Sequence, residues 1–379
     1  MTKEIYFDHS ATTPVRPEAL EAMTEAATAC YANPSSGHAA GRRAAAALAR
    51  ARRQVSDALG AREGEIVFTS GGTEANNLAI LGRAAAKERF AGGRIVTSAG
   101  EHASVEEPLR LLEARGFEVV RVPTRGGALD LDALARACDK RVFLVTVMAV
   151  NNETGAVYDL AAAARIVRER CPDALLHTDA TQAYLKVPCS PADTGADMIT
   201  LSGHKIGAPK GVGALWLSPA VKKTRGIAPR ALGGGQEAGL RCGTENMPGI
   251  CAFGAAAEAG AREAAEAARA ADDLRRYLID RIHENCRDVL THLPARPAPH
   301  ILSLSIRGLP GETLQNFLSS RGVYVSSGSA CSANAKTPRA SAAMIAFGLS
   351  EAEARTAVRV SLGASNTREE ADVLVELLR

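Results

Sequence analysis

The sequence has few aromatic residues and almost no excess of charge of either sign. Its 379 residues include 8 Phe, 6 Tyr and 1 Trp, and 45 Lys and Arg residues face 42 Asp and Glu residues, which leaves a formal net charge of +3. Surfaces that bind nucleic acids depend on clustered positive charge and on aromatic rings that stack against bases. We therefore expect no direct nucleic-acid partner.

Long apolar runs are also missing. No apolar stretch reaches the roughly 18 residues that a membrane-spanning helix needs. The first ten residues contain Lys3, Glu4, Asp8 and His9, and such charge does not fit the apolar core of a signal peptide. We therefore expect a cytoplasmic protein without a membrane partner.

Cysteine pairs with the spacing of a zinc ribbon are absent from the sequence. The closest two of the eight cysteines, Cys242 and Cys251, are nine residues apart, so we expect no metal site. The expected compartment is reducing, which disfavours disulfides. We interpret seven of the eight cysteines as small hydrophobic residues. A cysteine with a chemical role must be identified from the residues that surround it in the sequence.

Short runs rich in β-branched residues alternate with longer Ala-, Leu- and Arg-rich stretches over the first 220 residues. The predicted strands are Ile66–Thr69, Arg94–Thr97, Glu118–Val122, Val142–Val150, Leu175–Thr178, Met198–Leu201 and Val212–Leu217. The predicted helices are Glu74–Ala86, Ser104–Arg115, Leu131–Ala137 and Leu160–Arg170. This alternation predicts an α/β domain with a mainly parallel sheet wrapped by helices.

The pattern changes after the last of these strands. A glycine-rich stretch over residues 232–243 leads into a long predicted helix over Met247–Asn285, and a proline-rich segment at residues 293–299 follows it. Predicted strands at Ile301–Ile306 and Ala357–Ser361 indicate a smaller α+β unit. We place the domain boundary near residue 260.

Two polar motifs of the first domain suit the binding of a charged ligand. The segment Ser70–Glu74 joins a predicted strand to a predicted helix, where free amides and two glycines can cradle a phosphate. A simple capped turn explains the segment equally well. Asp179 follows another strand at its carboxyl end, where ligands of open α/β sheets bind. Its carboxylate needs a cationic partner such as a pyridinium nitrogen, unless it only caps a helix.

The third motif is Ser202–Lys205, which also follows a strand. Lysine is scarce, with nine residues against 36 Arg, and a lysine in a cleft can form a Schiff base. An exposed lysine without a chemical role is the alternative. Phosphate cradle, strand-end Asp and strand-end Lys on one sheet are the three anchors that pyridoxal phosphate requires.

The residues carry a resemblance to the cysteine desulfurases of the NifS/IscS type, within the class V aminotransferases of fold-type I pyridoxal phosphate enzymes. The matching segments are residues 6–14, 33–36, 68–77, 101–105, 151–155, 177–182, 202–205 and 241–246. The segment 326–331, Ser-Ser-Gly-Ser-Ala-Cys, resembles the first subgroup, in which the catalytic cysteine lies on a long loop. The resemblance implies a large domain over residues 16–260. A small domain then comprises residues 1–15 and 261–379 and carries that loop.

The resemblance also implies a role for individual residues. Lys205 would hold the cofactor aldehyde and move the Cα proton, Cys331 would be the nucleophile, and His102 would stack on the ring and assist proton transfer. The remaining cofactor contacts would come from Gly72, Thr73, Asn152, Asp179, Gln182, Ser202 and His204, with Thr244 from the second subunit of a homodimer. Asn152 and Arg359 would hold the substrate, since a guanidinium can clamp a carboxylate with two hydrogen bonds.

The reaction implied by the resemblance removes sulfur from L-cysteine and gives L-alanine and a persulfide on Cys331. An acceptor protein of iron-sulfur cluster assembly or of a thiolation pathway would then take the sulfur. A class V aminotransferase would share Lys205 and Asp179 without needing Cys331, and a selenocysteine lyase would differ in substrate. A non-enzymatic sulfur carrier would have no use for an intact cofactor site.

Overall fold

We describe the fold from a computed structural model of the chain. The structure describes residues 4–61, 66–86, 90, 92–327 and 340–379. Among these residues, no helix is long and apolar enough to cross a membrane. The seven cysteines in this part of the chain are all free thiols.

A seven-stranded sheet forms the centre of the larger unit. Its strands are β2 (Ile66–Thr69), β3 (Arg94–Ser98), β4 (Glu118–Val122), β5 (Val142–Thr146), β6 (Leu175–Asp179), β7 (Met198–Ser202) and β8 (Gly213–Leu217). The strand order is β2-β8-β7-β6-β5-β3-β4. β8 is antiparallel to both of its neighbours, and the other pairs are parallel. The mainly parallel sheet predicted from the alternating pattern is confirmed.

Helices cover both faces of this sheet. They are α1 (Pro17–Thr28), α2 (Ala39–Ala58), α3 (Gly72–Ala85), α4 (Ala103–Glu113), α5 (Leu131–Ala137), α6 (Leu160–Arg170), α7 (Pro191–Thr194), α8 (Pro219–Thr224) and α9 (Met247–Asn285). Successive residues of a strand point to opposite faces. Val145 of β5 therefore belongs to the core under α2, α5, α6 and α9, whereas Leu144 belongs to the core under α3 and α4. All five residues of β5 are buried, as its apolar run predicted.

The prediction that the strand beginning at Val142 extends to Val150 is wrong, since β5 ends at Thr146. Residues 147–150 remain buried, and the main-chain N–H groups of Val147 and Ala149 still donate to carbonyls of β6 (3.1 and 2.9 Å). The pairing with β3 ends at Thr146. The main-chain N–H of Met148 donates to the carboxyl group of Glu101 instead of a strand (2.8 Å). The predicted Val212 is likewise outside β8, which begins at Gly213.

A smaller antiparallel sheet follows in the C-terminal part. It contains β9 (Val289–His292), β10 (Ile301–Ile306), β12 (Ser326–Ser327) and β13 (Ala357–Ser361) in the order β12-β13-β10-β9. The N-terminal β1 (Ile5–Tyr6) pairs in parallel with β11 (Val323–Tyr324). The helices of this part are α10 (Gly311–Ser320), α11 (Ala342–Phe347), α12 (Glu351–Ala354) and α13 (Arg368–Leu378).

The helix α9 contributes to two separate cores. Near its start, Phe253 packs in the core of the large sheet, whereas Leu278 packs with the strands of the small sheet. Ile5 and Phe7 of the N-terminal segment belong to this second core as well. The helix is continuous across residue 260, and the domain boundary near that residue stays a prediction.

Candidate active site

A pocket of about 380 Å³ lies at the carboxyl ends of the parallel strands. It brings together ten of the residues singled out from the sequence: Gly72, Thr73, His102, Asn152, Asp179, Gln182, Ser202, His204, Lys205 and Arg359. They come from six distant segments of the chain, and the ends of the strands and the helix starts bring them together.

One end of the pocket is suited to a phosphate. Gly72 and Thr73 open α3, so their main-chain amides have no helical partner. Ser202 is the last residue of β7, and His204 follows it in a 3₁₀ turn. Burial lowers the pKa of His204 to about 4, and the charges of Lys205, Lys210 and Lys186 act in the same direction. His204 is therefore neutral at neutral pH and offers hydrogen bonds without charge.

The carboxylate of Asp179 is held in place from two sides. The side-chain amide of Asn76 donates to its Oδ2 (2.7 Å), and the main-chain N–H of Thr181 donates to its Oδ1 (2.9 Å). Asp179 is the last residue of β6 and is 5% exposed. A buried carboxylate at this position is suited to pair with a protonated ring nitrogen.

His102 is connected to Asp179 by hydrogen bonds through Ser104 and Asn76. It caps the start of α4, and its Nδ1 accepts from the main-chain N–H of Ser104 (3.1 Å). The hydroxyl of Ser104 lies 2.8 Å from the same Nδ1 and accepts from the amide of Asn76 (2.8 Å). Burial lowers the pKa of His102, partly offset by Asp179. The carboxylate of Asp179 is thus connected to the imidazole of His102 through two side chains.

Lys205 ends the 3₁₀ turn that follows β7. Its ammonium group donates to the carbonyls of Ser10 (2.5 Å) and Ala11 (2.8 Å). The amide nitrogen of Gln182 donates to the same Ser10 carbonyl (2.9 Å), whereas its Oε1 is buried without a partner among the described residues. That orphaned acceptor lines the pocket and is available to a ligand hydroxyl.

Arg359 approaches the pocket from the small sheet. It belongs to β13, and its guanidinium donates to the carbonyl of Asn152 (2.8 Å) and to the carboxylate of Asp8 (2.7 Å). Its Nε is buried and has no partner among the described residues. The ion pair with Asp8 fixes the plane of the guanidinium, which is the condition for clamping a carboxylate.

Two of the predicted site residues are not among the described residues that line this pocket. Thr244 is exposed and lines a separate small cavity beside Phe68, Thr69 and Ser70. The contact predicted for it involves a second subunit, so this prediction is not tested within one chain. Cys331 lies outside the described residues.

Sequence reasoning missed Asn76, Ser104 and Asp8. Asn76 lies one helical turn after Gly72 and is fully buried within α3, and a buried Asn on an apolar helix face signals a polar contact. Ser104 follows His102, the N-cap residue of α4, by two residues. At this spacing its hydroxyl can hydrogen-bond to the imidazole of His102. Asp8 carried no local signal, because its partner Arg359 is 351 residues away.

The pocket fits pyridoxal phosphate on three observations. A helix start with free amides faces the phosphate end, a buried carboxylate is available to the ring nitrogen, and the orphaned Oε1 of Gln182 can accept from the ring hydroxyl. A Cβ atom at Gly72 would lie 2.9 Å from Oγ1 of Thr181, so glycine keeps that end open. Among the described residues, no group of three His, Cys, Asp or Glu side chains is placed to hold a metal.

Comparisons with known proteins agree with this geometry. The Aminotransferase class-V family profile matches residues 5–374. The chain is 38% identical to the cysteine desulfurase IscS 1 of Archaeoglobus fulgidus over 374 residues, which cover 98% of this chain and 95% of the relative.

Two solved structures are also similar. A NifS-like protein superposes with a TM-score of 0.91 at 35% identity and 99% and 98% coverage. A structure described as SspA in complex with cysteine superposes with a TM-score of 0.81 at 34% identity, covering 96% of this chain and all of the other.

Proposed function

The chain belongs to the aminotransferase class-V family and is a pyridoxal phosphate-dependent cysteine desulfurase, and we propose that Cys331 carries the sulfur from L-cysteine to an acceptor protein. The observation that carries the proposal is the pocket itself, in which Lys205, Asp179 and Arg359 meet around one cavity. These residues are candidates for three functions of a desulfurase site: a lysine base, a ring-nitrogen partner and a substrate clamp. The start of α3 supports the fourth function, phosphate binding.

We assign the residue roles from this geometry. When bound, the cofactor ring supplies an electron sink that stabilises negative charge at the substrate Cα. Asp179, fixed by Asn76 and Thr181, holds the proton on the ring nitrogen. Arg359 and Asn152 hold the substrate carboxylate, and the amine of Lys205 takes the Cα proton.

Cys331 performs the sulfur step in this proposal. Its thiolate attacks the substrate sulfur, so that a sulfur–sulfur bond forms while the carbon–sulfur bond breaks and its electron pair stays with the carbon fragment. That fragment takes up protons and leaves as L-alanine, and Cys331 keeps the persulfide. Atoms and electrons balance without a further reductant until the persulfide is passed on.

Iron-sulfur cluster assembly or a thiolation pathway is the proposed destination of the sulfur. The name of the Archaeoglobus relative, cysteine desulfurase IscS 1, supports a place in the IscS group, and the cysteine complex of the similar structure supports L-cysteine as the substrate. The homodimer, with Thr244 reaching the partner subunit's site, belongs to the same proposal. A cytoplasmic location stays a prediction.

Two variants test the division of roles. Lys205→Ala should lose the borohydride-reducible attachment of the cofactor. Cys331→Ser should keep it, should still change its absorbance on addition of L-cysteine, and should release no sulfide above background. Cys30→Ser, a half-buried cysteine away from the pocket, serves as the control and should behave like the wild type.

The outcomes separate the alternatives. Normal sulfide release by Cys331→Ser would refute the nucleophile role. Accumulation of the amine form of the cofactor together with a keto acid would favour a class V aminotransferase over a desulfurase.

A further inference from the structure

A second cavity, of about 320 Å³, lies next to the active-site pocket and shares the wall formed by Lys205. We call it the rear cavity and define it by His9, Arg16, Lys186, Lys205, Glu263 and His300. The N-terminal segment, α9 and the ends of β10 and β13 enclose it. None of its groups except Lys205 takes part in the chemistry described above.

The side-chain amine of Lys186 has no counter-ion among the described residues. Its Nζ is buried and has no hydrogen-bond partner within the described part of the chain. Burial, together with the positive charges of Lys205 and Arg359, lowers its pKa to about 7. The acidic side chains of Asp57 and Asp193 line a neighbouring cavity shared with Lys186, but neither forms an ion pair with it.

Two imidazoles of the rear cavity also have ring nitrogens without partners among the described residues. Both ring nitrogens of His300 and the Nε2 of His9 are buried without a hydrogen bond to any described residue. Burial lowers the pKa of His300 well below its usual value, and the charge of Lys186 lowers the pKa of both rings. Buried polar atoms in native proteins are almost always paired. Four unpaired nitrogens around one cavity therefore indicate a ligand position.

The charges around the cavity favour an anion. Its one acidic lining residue, Glu263, is already bound to Arg16 (2.9 Å) and is 55% exposed at the side chain. The other charged lining groups are cationic. The α9 side of the cavity is made of small apolar residues, which leave room and offer no competing carboxylate: Ala264, Ala267, Ala268 and Ala271.

We propose that the rear cavity binds a small oxyanion or carboxylate anion, with the Lys186 ammonium and the His300 imidazole as its main hydrogen-bonding partners. An anion here pairs with the Lys186 ammonium and reduces its repulsion with Arg359. It lies outside the phosphate end of the active site, which is formed by Gly72, Thr73 and Ser202. The ligand therefore binds in addition to the cofactor and the substrate.

Crystals of the holoenzyme soaked in sodium bromide locate the site directly. Bromide is a probe whose anomalous signal distinguishes it from water. We expect an anomalous peak within hydrogen-bond distance of Lys186 Nζ in the wild type and none there in Lys186→Met. Lys223→Met, which removes an exposed lysine of α8, is the control and should keep the peak.

Calorimetric titration of the holoenzyme with sulfate and with acetate distinguishes inorganic from organic anions. Lys186→Met should weaken binding of the preferred anion by about tenfold or more, while Lys223→Met leaves it unchanged. A wild-type map with only water in the rear cavity, or equal binding by Lys186→Met, would overturn the proposal. If Lys186→Met does not fold, Lys186→Gln and the wild-type bromide map decide the question.

Discussion

The hydrogen bonds around His102 favour one neutral form of its ring. Since the main-chain N–H of Ser104 donates to Nδ1, that nitrogen carries no proton. The hydroxyl of Ser104 accepts from Asn76 and so turns its own proton to the same nitrogen. The neutral ring therefore holds its proton on Nε2 and presents a donor to the pocket. His102 can donate a hydrogen bond or a proton there, but it cannot accept one at Nε2.

Changing Ser104 should alter the form of the ring. Ser104→Ala removes one of the two donors to Nδ1 and should shift the ratio of the neutral forms by a factor of about five, or about 1 kcal/mol. Nitrogen-15 NMR of histidine-labelled protein measures this ratio directly. Ser104→Thr keeps the hydroxyl and should resemble the wild type. A wild-type spectrum with the proton on Nδ1 would contradict the assignment.

Glu101 is a buried carboxylic acid beside the active site. Burial raises its pKa to about 8, against hydrogen bonds from Ser98 and from the Met148 amide. Between its ordinary pKa of 4.5 and about 8, the folded protein holds a proton there that the unfolded chain has lost. This group's contribution to stability is therefore complete at low pH and is lost as the pH rises through this window.

Glu101→Gln should remove this pH dependence. The amide oxygen can still accept from Met148, and no carboxylate remains to ionise. The difference in unfolding free energy, variant minus wild type, should rise with pH between about 5 and 8, by at most about 1.4 kcal/mol per pH unit. Denaturant unfolding at a series of pH values measures it. A constant difference across this range would show that Glu101 is ionised in the folded protein.

At the scale of elements, several helices could be predicted to the residue. The structure gives α5, α6 and α9 with the predicted bounds, because each has a strong local start signal. Asp130, Asp159 and Asn246 cap their first turns by accepting main-chain N–H groups. The predicted strand Val142–Val150 extends beyond β5, which shows that a local sequence pattern does not predict where a strand ends. An apolar run predicts burial, and only the neighbouring strands decide where the ladder ends.

The candidate active site likewise contains residues that the sequence predicts and contacts that it does not. Asp179, Ser202 and Lys205 could be predicted, because each ends or follows a strand and has a distinct chemical type. The bond between Asn76 and Asp179 joins a helix to a strand 103 residues later, and it depends on how α3 packs on the sheet. Such contacts have no local signature in a single sequence.

The start of α3 offers a test of the phosphate position. Gly72→Ala places a methyl group 2.9 Å from Oγ1 of Thr181 and 3.5 Å from Cβ of Ser202, which crowds the phosphate end. We expect cofactor affinity to fall by about tenfold or more, while the helix persists because Ala favours it. Cofactor titration followed by fluorescence measures the affinity. Gly37→Ala, with open space around its Cβ, should bind normally, and normal binding by Gly72→Ala would contradict the assignment.

At the scale of the whole molecule, a single chain leaves two features unexplained. Leu232 is 83% exposed and Tyr31 is 77% exposed, and a dimer interface could bury such side chains. Thr244, which the resemblance assigns to the cofactor phosphate, lies outside the pocket of its own chain. A two-fold dimer would account for both features, since it would cover the apolar residues and bring Thr244 to the partner's site.

Mixed dimers test this arrangement, because each site would take Lys205 from one chain and Thr244 from the other. Lys205→Ala and Thr244→Arg homodimers should each lose normal cofactor binding, the first at the attachment and the second by crowding the phosphate. A mixed dimer of the two variants contains one site with an intact Lys205 and an intact Thr244, so it should bind one borohydride-reducible cofactor per two chains. If Thr244 served its own chain, neither site of the mixed dimer would be intact. Mass spectrometry of the reduced mixture, with differently tagged chains, distinguishes these results, and absence of any recovered site would refute the shared arrangement.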